Sequence, residues 1–381
     1  YECVPMRFIK HVYKIHTYAQ DGRLFEGKTP VSAFLNSSYD GSFIAGLMEL
    51  RYIQSLPVER IINYFESHGF TLKKPTAHKL MEKASSLFEN LYKCIRQTAL
   101  SDPYKAADET YYKILVPEKN SKGKGFRKGY LWVVVGINTR MIYLLYDDGS
   151  RSERVILNEL GSCKGIIQSD GYSPYRKLES DAYPNITRIP CLQHIKRKFI
   201  DCGEKDPDAK RIVELINALY QNEHKHKVGV EGWTVEQNLM HRKKYAPDIL
   251  GEIKDVLDEI EERGDLLPKS ELQEAITYLR NEWNAVVDIF NYGDTYLDNN
   301  IVERMNRYIS LSRKNSLFFG SHKGAERGAI LYTIALTCRM NKVNLFEYLT
   351  DIINRTAEWQ PNTPLEKYRQ LLPDRWEKAN D

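Results

Sequence analysis

The sequence contains no Cys-x-x-Cys pair, and its six cysteines show no regular spacing. A secreted domain held together by disulfides is therefore excluded, because such domains depend on a repeated cysteine framework. A secretory apolar segment is also missing, so we expect reduced thiols in a cytoplasmic protein. The six cysteines are Cys3, Cys94, Cys163, Cys191, Cys202 and Cys338.

Long apolar runs and a strong excess of one charge are missing too. No run approaches the ~20 residues that a membrane-spanning helix needs, so we expect no membrane segment. The 55 basic and 51 acidic residues nearly cancel to a net charge of +4, but they are segregated along the chain. Acid concentrates at residues 252–265, and this separation suits a protein that binds a polyanion on one side. The basic clusters are Lys119, Lys122, Lys124, Arg127 and Lys128; Lys196, Arg197 and Lys198; and Arg304, Arg307, Arg313 and Lys314.

The length of 381 residues allows two or three domains, and 42% hydrophobic residues indicate a folded protein with a substantial core. The chain opens at Tyr1 rather than Met, so we expect it to lack an upstream segment. The sequence pattern predicts an irregular N-terminal segment (1–42), a helical region (43–100), an α/β domain (101–200 and 297–350), a helical insertion (201–296) and a C-terminal tail (351–381).

The region 43–100 carries apolar residues at helical spacing from Phe43 onward. Pro57 is expected to open a second helix and Gly69 to end it, while Thr76 is a candidate N-cap for a third. Two short helices joined by a glycine-containing turn resemble a helix-turn-helix that binds DNA. A plain helical hairpin remains the alternative, because the second helix is not notably basic.

Beyond Pro103 the apolar period changes to two, which is typical of strands. Three consecutive strands followed by alternating helix and strand predict a mixed sheet with helices on both faces. This order matches a ribonuclease-H-like fold with flanking helices, interrupted by the helical insertion. Strands are predicted near 111–115, 130–137, 141–146, 165–168 and 186–189, with a helix near 172–178.

Three acidic residues stand out from this pattern. Asp108 lies in an apolar alternating run, Asp170 follows the apolar pair at 166–167, and Glu303 falls on the first turns of a predicted helix. Carboxylates beside strand cores are costly unless they are paired or bind a metal. If the three converge at the carboxyl end of the sheet, they form an oxygen-rich site for two Mg²⁺ ions, with Mn²⁺ as a substitute.

Each acid alone also has a plainer explanation. Asp108 at a strand end can be merely solvated, and Asp170 before Gly171 can be a turn residue. Glu303 and Arg307 are spaced as a supporting i,i+4 ion pair on a helix. The hypothesis therefore depends on all three occurring in the right elements and in the right order.

Several motifs together resemble the insertion sequence 66 family of DDE transposases, over roughly residues 40–376. The motifs are Ala-Asp-Glu-Thr at 107–110, Ser-Asp-Gly-Tyr at 169–172, Cys191 and His194 followed by Arg197-Lys198-Phe199, Asn-Asn-Ile-Val-Glu-Arg at 299–304, Arg313-Lys314-Asn315 with Leu-Phe-Phe-Gly-Ser at 317–321, and Leu-Leu-Pro at 371–373.

This resemblance implies a catalytic triad of Asp108, Asp170 and Glu303 that also binds the Mg²⁺ ions. It implies cleavage at transposon ends and strand transfer into target DNA, by a bacterial nucleoid-associated protein acting as a homodimer on DNA, with possible helper proteins. The alternatives are a nuclease of the same fold that cuts without joining and a catalytically idle DNA-binding remnant or regulator.

The chain departs from the family pattern at several positions, including Ser312 in place of Gly and Ser316 in place of Trp. The upstream Cys-x-x-Cys module of the family is absent, and Cys191 with His194 has no second pair to complete four ligands, so we predict no structural zinc. Phosphate contacts are expected from the basic clusters. A helix-packing role for His194 and a solvated turn at Arg313 and Lys314 remain alternatives. The candidate DNA-binding residues are Lys122, Lys124, Arg127, Lys128, His194, Arg197, Lys198, Arg304, Arg307, Arg313 and Lys314.

Overall fold

The computed structural model describes residues 1–2, 5–27, 32–34, 37–118, 123, 125–203, 206–225, 232–360 and 362–378. Its strands are β1 (Thr17–Gln20), β2 (Arg23–Glu26), β3 (Tyr104–Leu115), β4 (Phe126–Gly136), β5 (Met141–Leu145), β6 (Gly165–Ser169), β7 (Ile186–Pro190) and β8 (Phe318–Phe319). Its helices are α1 (Gly41–Met48), α2 (Val58–Ser67), α3 (Lys74–Leu87), α4 (Glu89–Ser101), α5 (Glu153–Leu160), α6 (Ser173–Arg176), α7 (Leu192–Asp201), α8 (Pro207–Lys225), α9 (Val235–Arg263), α10 (Glu271–Ile289), α11 (Asn300–Ser316), α12 (His322–Met340), α13 (Leu345–Thr356) and α14 (Leu365–Arg369).

The centre of the molecule is a mixed six-stranded sheet. Its strand order is β5-β4-β3-β6-β7, and the short β8 also pairs with β3. β3, β4 and β5 are antiparallel neighbours, whereas β6 pairs with both β3 and β7 in parallel. The mixed sheet predicted from the change of period is confirmed.

The middle strands are buried on both faces. Residues 131–135 of β4 form an unbroken apolar run, and all five are at most 1% exposed, as expected for a strand covered by helices on both sides. α12 covers β5 on one face, where the Thr333 hydroxyl accepts the Leu144 N–H at 2.9 Å. The Thr337 hydroxyl donates to the Ile142 carbonyl at 2.9 Å, so α12 also uses polar contacts to fix its position.

The helices of region 43–100 pack into the same hydrophobic core as the sheet, because Phe65 and Ile95 belong to one buried cluster with Val133. Gly69 has φ +80° and ends α2 as predicted. The expected start at Thr76 is wrong: α3 begins at Lys74, since Pro75 is well tolerated in a first turn. β1 and β2 form an exposed hairpin inside the segment 1–42, for which no regular structure was predicted.

Arg51 connects this N-terminal part to α11. Its side chain is buried, and Nη1 donates to the Ser312 and Ser316 hydroxyls at 3.0 Å each. Both serines thus accept the bonds of a buried guanidinium.

The insertion consists of α8, α9 and α10, which with α7 form a second buried cluster against β6 and β7. None of the helices in the described ranges is long and apolar enough to cross a membrane. A buried ion pair joins the insertion to the sheet: Arg188 Nη2 on β7 lies 2.6 Å from Glu282 Oε2 on α10, and the two side chains are 0% and 1% exposed.

We expect Arg188→Met to lower the free energy of unfolding by about 3–5 kcal/mol, because it leaves the buried Glu282 carboxylate with only the more distant, partly exposed Arg176 at 3.9 Å as counter-charge. Urea denaturation of the full chain measures the loss. Arg188→Met combined with Glu282→Met should recover at least half of it, since two apolar side chains replace the pair. A double variant as unstable as the single one would contradict this account.

Candidate functional site

The pairing of β3 with β6 ends two residues before Asp108 and Asp170 and brings the two aspartates near each other. The parallel pairing runs from Tyr104↔Ile166 to Ala106↔Gln168, and two further steps along both strands reach the two aspartates. Neighbouring strands lie about 4.8 Å apart. The backbones of the two aspartates are therefore neighbours near the carboxyl end of β6. The strand-end location predicted for Asp170 is confirmed.

The Asp108 carboxylate accepts two hydrogen bonds. The Glu109 N–H donates to Oδ1 at 2.8 Å, and Asn306 Nδ2 on α11 donates to Oδ2 at 2.6 Å. Burial, together with the nearby negative charges of Asp170 and Glu109, raises the pKa of Asp108 to about 8. The two hydrogen bonds act in the opposite direction but do not cancel the effect of burial.

Contacts with the insertion and with β7 hold the loop that carries Asp170. Arg188 Nη2 donates to the Asp170 carbonyl at 2.7 Å, and the Gly171 N–H donates to the Tyr278 hydroxyl at 2.8 Å. A Cβ at Gly171 would collide with that hydroxyl, which explains the glycine at this position. Asp170 Oδ1 accepts the Tyr172 N–H at 3.1 Å, which fixes the direction of its carboxylate.

Glu303 lies on the face of α11 that meets β3. Asn299, at the start of this helix, donates to the Ala107 carbonyl at 3.0 Å, and Asn306 donates to Asp108. Glu303 is four residues after the first and three before the second, so all three share one helix face. The helix is therefore attached to the strand on both sides of Glu303.

The Glu303 carboxylate itself lies beside His194 and Cys191. Its Oε1 is 3.7 Å from His194 Nδ1, and the ligand atoms of the three side chains lie within 4.8 Å of one another. In the part of the chain that the structure describes, no such group of three or more contains Asp108 or Asp170. Burial raises the pKa of the Cys191 thiol to about 12.

A cleft of about 370 Å³ connects these groups. Asp170 and His194 both line it, so the second aspartate and the histidine beside Glu303 open onto the same space. The other lining residues are Arg151, Gly171, Tyr172, Arg197, Lys198, Asp201 and Tyr278.

Glu109, next to Asp108, belongs to a separate ion pair. Arg151 Nη2 lies 2.5 Å from Glu109 Oε1, and the Arg151 guanidinium lies 4.2 Å from the centre of the Tyr172 ring. Burial raises the pKa of Glu109, and the hydrogen bonds from Arg151 counteract that rise. Successive residues of a strand face opposite sides of the sheet. Asp108 therefore faces Asn306, whereas Glu109 faces the other side, where Arg151 neutralises it.

Among the predicted DNA-binding residues, Lys128 and Arg313 flank the Tyr111 ring. Lys128 Nζ lies 4.2 Å and the Arg313 guanidinium 4.0 Å from the ring centre, a cation–aromatic–cation arrangement three residues after Asp108. Lys122 and Lys124 lie outside the described residues. The exposed remainder are Arg127, Arg197, Lys198, Arg304, Arg307 and Lys314, whereas His194 is half-buried beside Glu303.

Comparison with known proteins assigns the family. A family model described as "Transposase IS66 family" matches residues 36–327, which is more than half of the chain. The chain belongs to this family of transposases. The resemblance inferred from the sequence motifs is confirmed.

Three relatives come from Sinorhizobium fredii (strain NBRC 101917 / NGR234). Uncharacterized protein y4jD is 26% identical over 87% of this chain and 65% of its own length. Uncharacterized protein y4hP is 24% identical over 100% of this chain and 70% of its own length. Uncharacterized protein y4qI is 25% identical over 96% of this chain and 69% of its own length. The chain thus spans about two thirds of the length of the relatives it matches.

Among solved structures, the chain is similar to the Drosophila P element transposase strand transfer complex. The identity is 14%, the match covers 79% of this chain and 93% of that chain, and the TM-score is 0.39. A likeness at this level carries no argument about the site.

The sequence analysis did not predict the residues of other helices and loops that contact the acidic residues or the backbone beside them. These are chiefly Asn306, Asn299, Arg151 and Tyr278. For Asn306 and Asn299 a signal existed, because they lie three and four residues from Glu303 on a predicted helix. No comparable signal marked Arg151 or Tyr278, whose contacts depend on the tertiary fold.

We expect Asp108→Asn to stabilise the metal-free protein increasingly as the pH rises. Because the folded-state pKa of Asp108 is raised from 3.8 to about 8, ionisation lowers wild-type stability progressively between these two values. The variant lacks this loss. Asn306 can rotate its amide so that its own Oδ1, which has no hydrogen-bond partner among the residues that the structure describes, accepts from the new amide.

Urea denaturation in EDTA at pH 5 and pH 8 measures the difference. The gain from Asp108→Asn should be larger at pH 8 by about 3–4 kcal/mol, since nearly three pH units lie within the window and each corresponds to about 1.4 kcal/mol. The exposed Asp181→Asn is the matched control and should show no such dependence. An equal effect at both pH values would contradict the burial of the Asp108 charge.

Proposed function

We propose that this chain is the catalytic part of a DDE-type transposase, with Asp108, Asp170 and Glu303 as the catalytic acids. The observation that carries the proposal is the closeness of Asp108 to Asp170, whose charges interact, with the Glu303 helix attached to the same strand at Ala107 and Asp108. The reaction is cleavage of phosphodiester bonds at transposon ends followed by strand transfer into target DNA.

We assign the chain to the ribonuclease-H-like fold. The strand order β5-β4-β3-β6-β7, with three antiparallel strands followed by two parallel ones, supports this assignment. The helical insertion enters between β7 and α11, that is, between the second acid and the third. Residues 101–200 and 297–350 then form the catalytic domain, 201–296 the insertion, 43–100 a helix-turn-helix-like DNA-binding region and 351–381 the tail.

The donor set fits two Mg²⁺ ions, for which Mn²⁺ can substitute. Asp108 and Asp170 offer hard oxygen ligands, and their mutual repulsion is of the kind that a cation relieves. Glu303 Oε1 is buried without a hydrogen-bond partner among the described residues, so it is available as a ligand. When bound, divalent ions activate the attacking hydroxyl and stabilise the leaving oxygen.

The protein's own residues position the reacting groups. Asn306 and the Glu109 N–H orient the Asp108 carboxylate, while Tyr172, Arg188 and Tyr278 hold the Asp170 loop. Glu303 reaches the aspartates by rotating its side chain away from His194, because its helix already contacts β3. A water molecule then attacks at the transposon end and frees a 3′-hydroxyl, which attacks the target phosphodiester in the joining step.

Cations near the cleft are proposed to hold the DNA backbone. Lys128 and Arg313 beside Tyr111, and Arg197 and Lys198 in the cleft, present charge on either side of the acids. We assign the same contact with the DNA backbone to Arg127, Arg304, Arg307, Lys314 and His194, and to Lys122 and Lys124. Two transposon ends must be paired for transposition, so the acting form is proposed to be a homodimer on DNA, with possible helper proteins of the same element.

Asp108→Asn, Asp170→Asn and Glu303→Gln should each reduce Mg²⁺-dependent strand cleavage and joining by at least about 100-fold, because each removes a proposed metal ligand. Cleavage and joining of labelled transposon-end DNA, with binding followed in parallel, measure the effect. Asp181→Asn serves as the control and should behave like wild type. Wild-type activity in any of the three variants would refute the triad.

The joining step is tested with pre-cleaved ends. A transposase inserts them into target DNA, whereas a nuclease of the same fold leaves them free, and an idle DNA-binding remnant neither cuts nor joins. Product sizes on a denaturing gel distinguish the three outcomes.

Arg313→Gln should weaken DNA binding and reduce the slope of log K against log salt by about 0.9, the value for one lost phosphate contact on duplex DNA. Arg313→Lys keeps the charge and should keep the slope. Lys210→Gln, on the insertion and paired with Glu214, is a further control that should change neither quantity. An unchanged slope in Arg313→Gln would remove this residue from the DNA surface.

A further inference from the structure

We propose that Cys191, His194 and Glu303 form a binding site for a borderline-soft divalent cation, Zn²⁺ or Co²⁺, separate in chemistry from the carboxylate site. Zinc binds thiolate, imidazole and carboxylate ligands together, whereas Mg²⁺ prefers oxygen. The sequence argued against zinc because no second Cys/His pair follows His194. The fold supplies Glu303 from α11 as the third ligand.

The spacing of the three side chains is close to that of a tetrahedral site. His194 Nδ1 and Glu303 Oε1 are 3.7 Å apart, and two ligands at zinc-bonding distance are about 3.4 Å apart at a tetrahedral angle. Cys191 Sγ lies within 4.8 Å of a ligand atom of each of the other two residues, so small side-chain rotations suffice to close the site.

Two of the three ligand atoms are buried and lack a hydrogen-bond partner within the described part of the chain, namely His194 Nδ1 and Glu303 Oε1. Buried polar atoms are usually satisfied, and facing orphaned atoms with metal-binding chemistry indicate an ion. The Asn299 N–H donates to Cys191 Sγ at 3.2 Å, the kind of outer-shell bond that steadies a metal-bound sulfur.

Three protein ligands leave the fourth position for water, which is the pattern of an open rather than a structural zinc site. The cleft gives a path for the ion, because His194 lines it. Binding forms the metal–sulfur bond and releases the Cys191 thiol proton to solvent.

Glu303 is a ligand of both the carboxylate site and the site with Cys191 and His194, so the two sites cannot bind their cations at the same time. A cation held by Cys191 and His194 keeps the Glu303 carboxylate away from Asp108 and Asp170. This part of the inference rests on the proposed function: Zn²⁺ should then inhibit Mg²⁺-dependent cleavage, and Cys191→Ser should lessen that inhibition. The existence of the site does not depend on the activity.

Titration of the purified full chain with Co²⁺ tests the site without an activity assay. We expect a sulfur-to-cobalt charge-transfer band together with visible bands of tetrahedral intensity. Cys191→Ser should abolish the charge-transfer band, and His194→Gln and Glu303→Gln should weaken Co²⁺ binding by about 100-fold or more, since the loss of an outer-shell partner alone costs 10–100-fold.

Two controls separate this site from other cysteines and from the carboxylates. Cys202→Ser removes the half-buried thiol on the end of α7 and should leave the band intact, as should Asp108→Asn. Absence of the band in wild-type protein, or its persistence in Cys191→Ser, would overturn the proposal. Loss of the band in Cys202→Ser would also overturn it, whereas loss of cleavage with the band preserved concerns the catalytic acids alone.

Discussion

Two neighbouring carboxylates, Asp108 within β3 and Asp170 at the end of the parallel strand β6, are the constraint around which this molecule is arranged. Burial next to a like charge disfavours ionisation of Asp108. Hydrogen-bond donors from several elements stabilise the two carboxylates. Asn306 from α11 and a backbone N–H of β3 donate to Asp108, and the Tyr172 N–H donates to Asp170. Without these hydrogen bonds, ionisation of Asp108 and Asp170 would cost more free energy, and the directions of their carboxylates would not be fixed.

The helical insertion takes part in this arrangement although it lies outside the sheet. Arg188 sits where the insertion, β7 and the Asp170 loop meet, and it contacts Glu282, Glu179 and the Asp170 carbonyl. A fully buried guanidinium with several fixed acceptors tolerates little displacement. The long stretch between the second and third acids therefore helps to support the second acid.

The sheet and the strand-end position of Asp170 could be predicted, because period-two apolar runs and glycine punctuation depend on local sequence. The start of α3 was missed, since Pro75 outweighed Thr76 as a helix-start signal. The Cys191, His194 and Glu303 group could not be found from spacing, because Glu303 lies far from Cys191 and His194 in the sequence. The ion pair of Arg151 with Glu109 was hidden for the same reason.

Arg51 gives this architecture a mechanical property. It ties the first helices of the chain to Ser312 and Ser316 near the end of α11, while the beginning of the same helix carries Glu303. Because the turns of a helix are hydrogen-bonded in series, its two ends move together. A displacement of the N-terminal helices would therefore also displace the helix that carries Glu303, through the Ser312 and Ser316 hydroxyls.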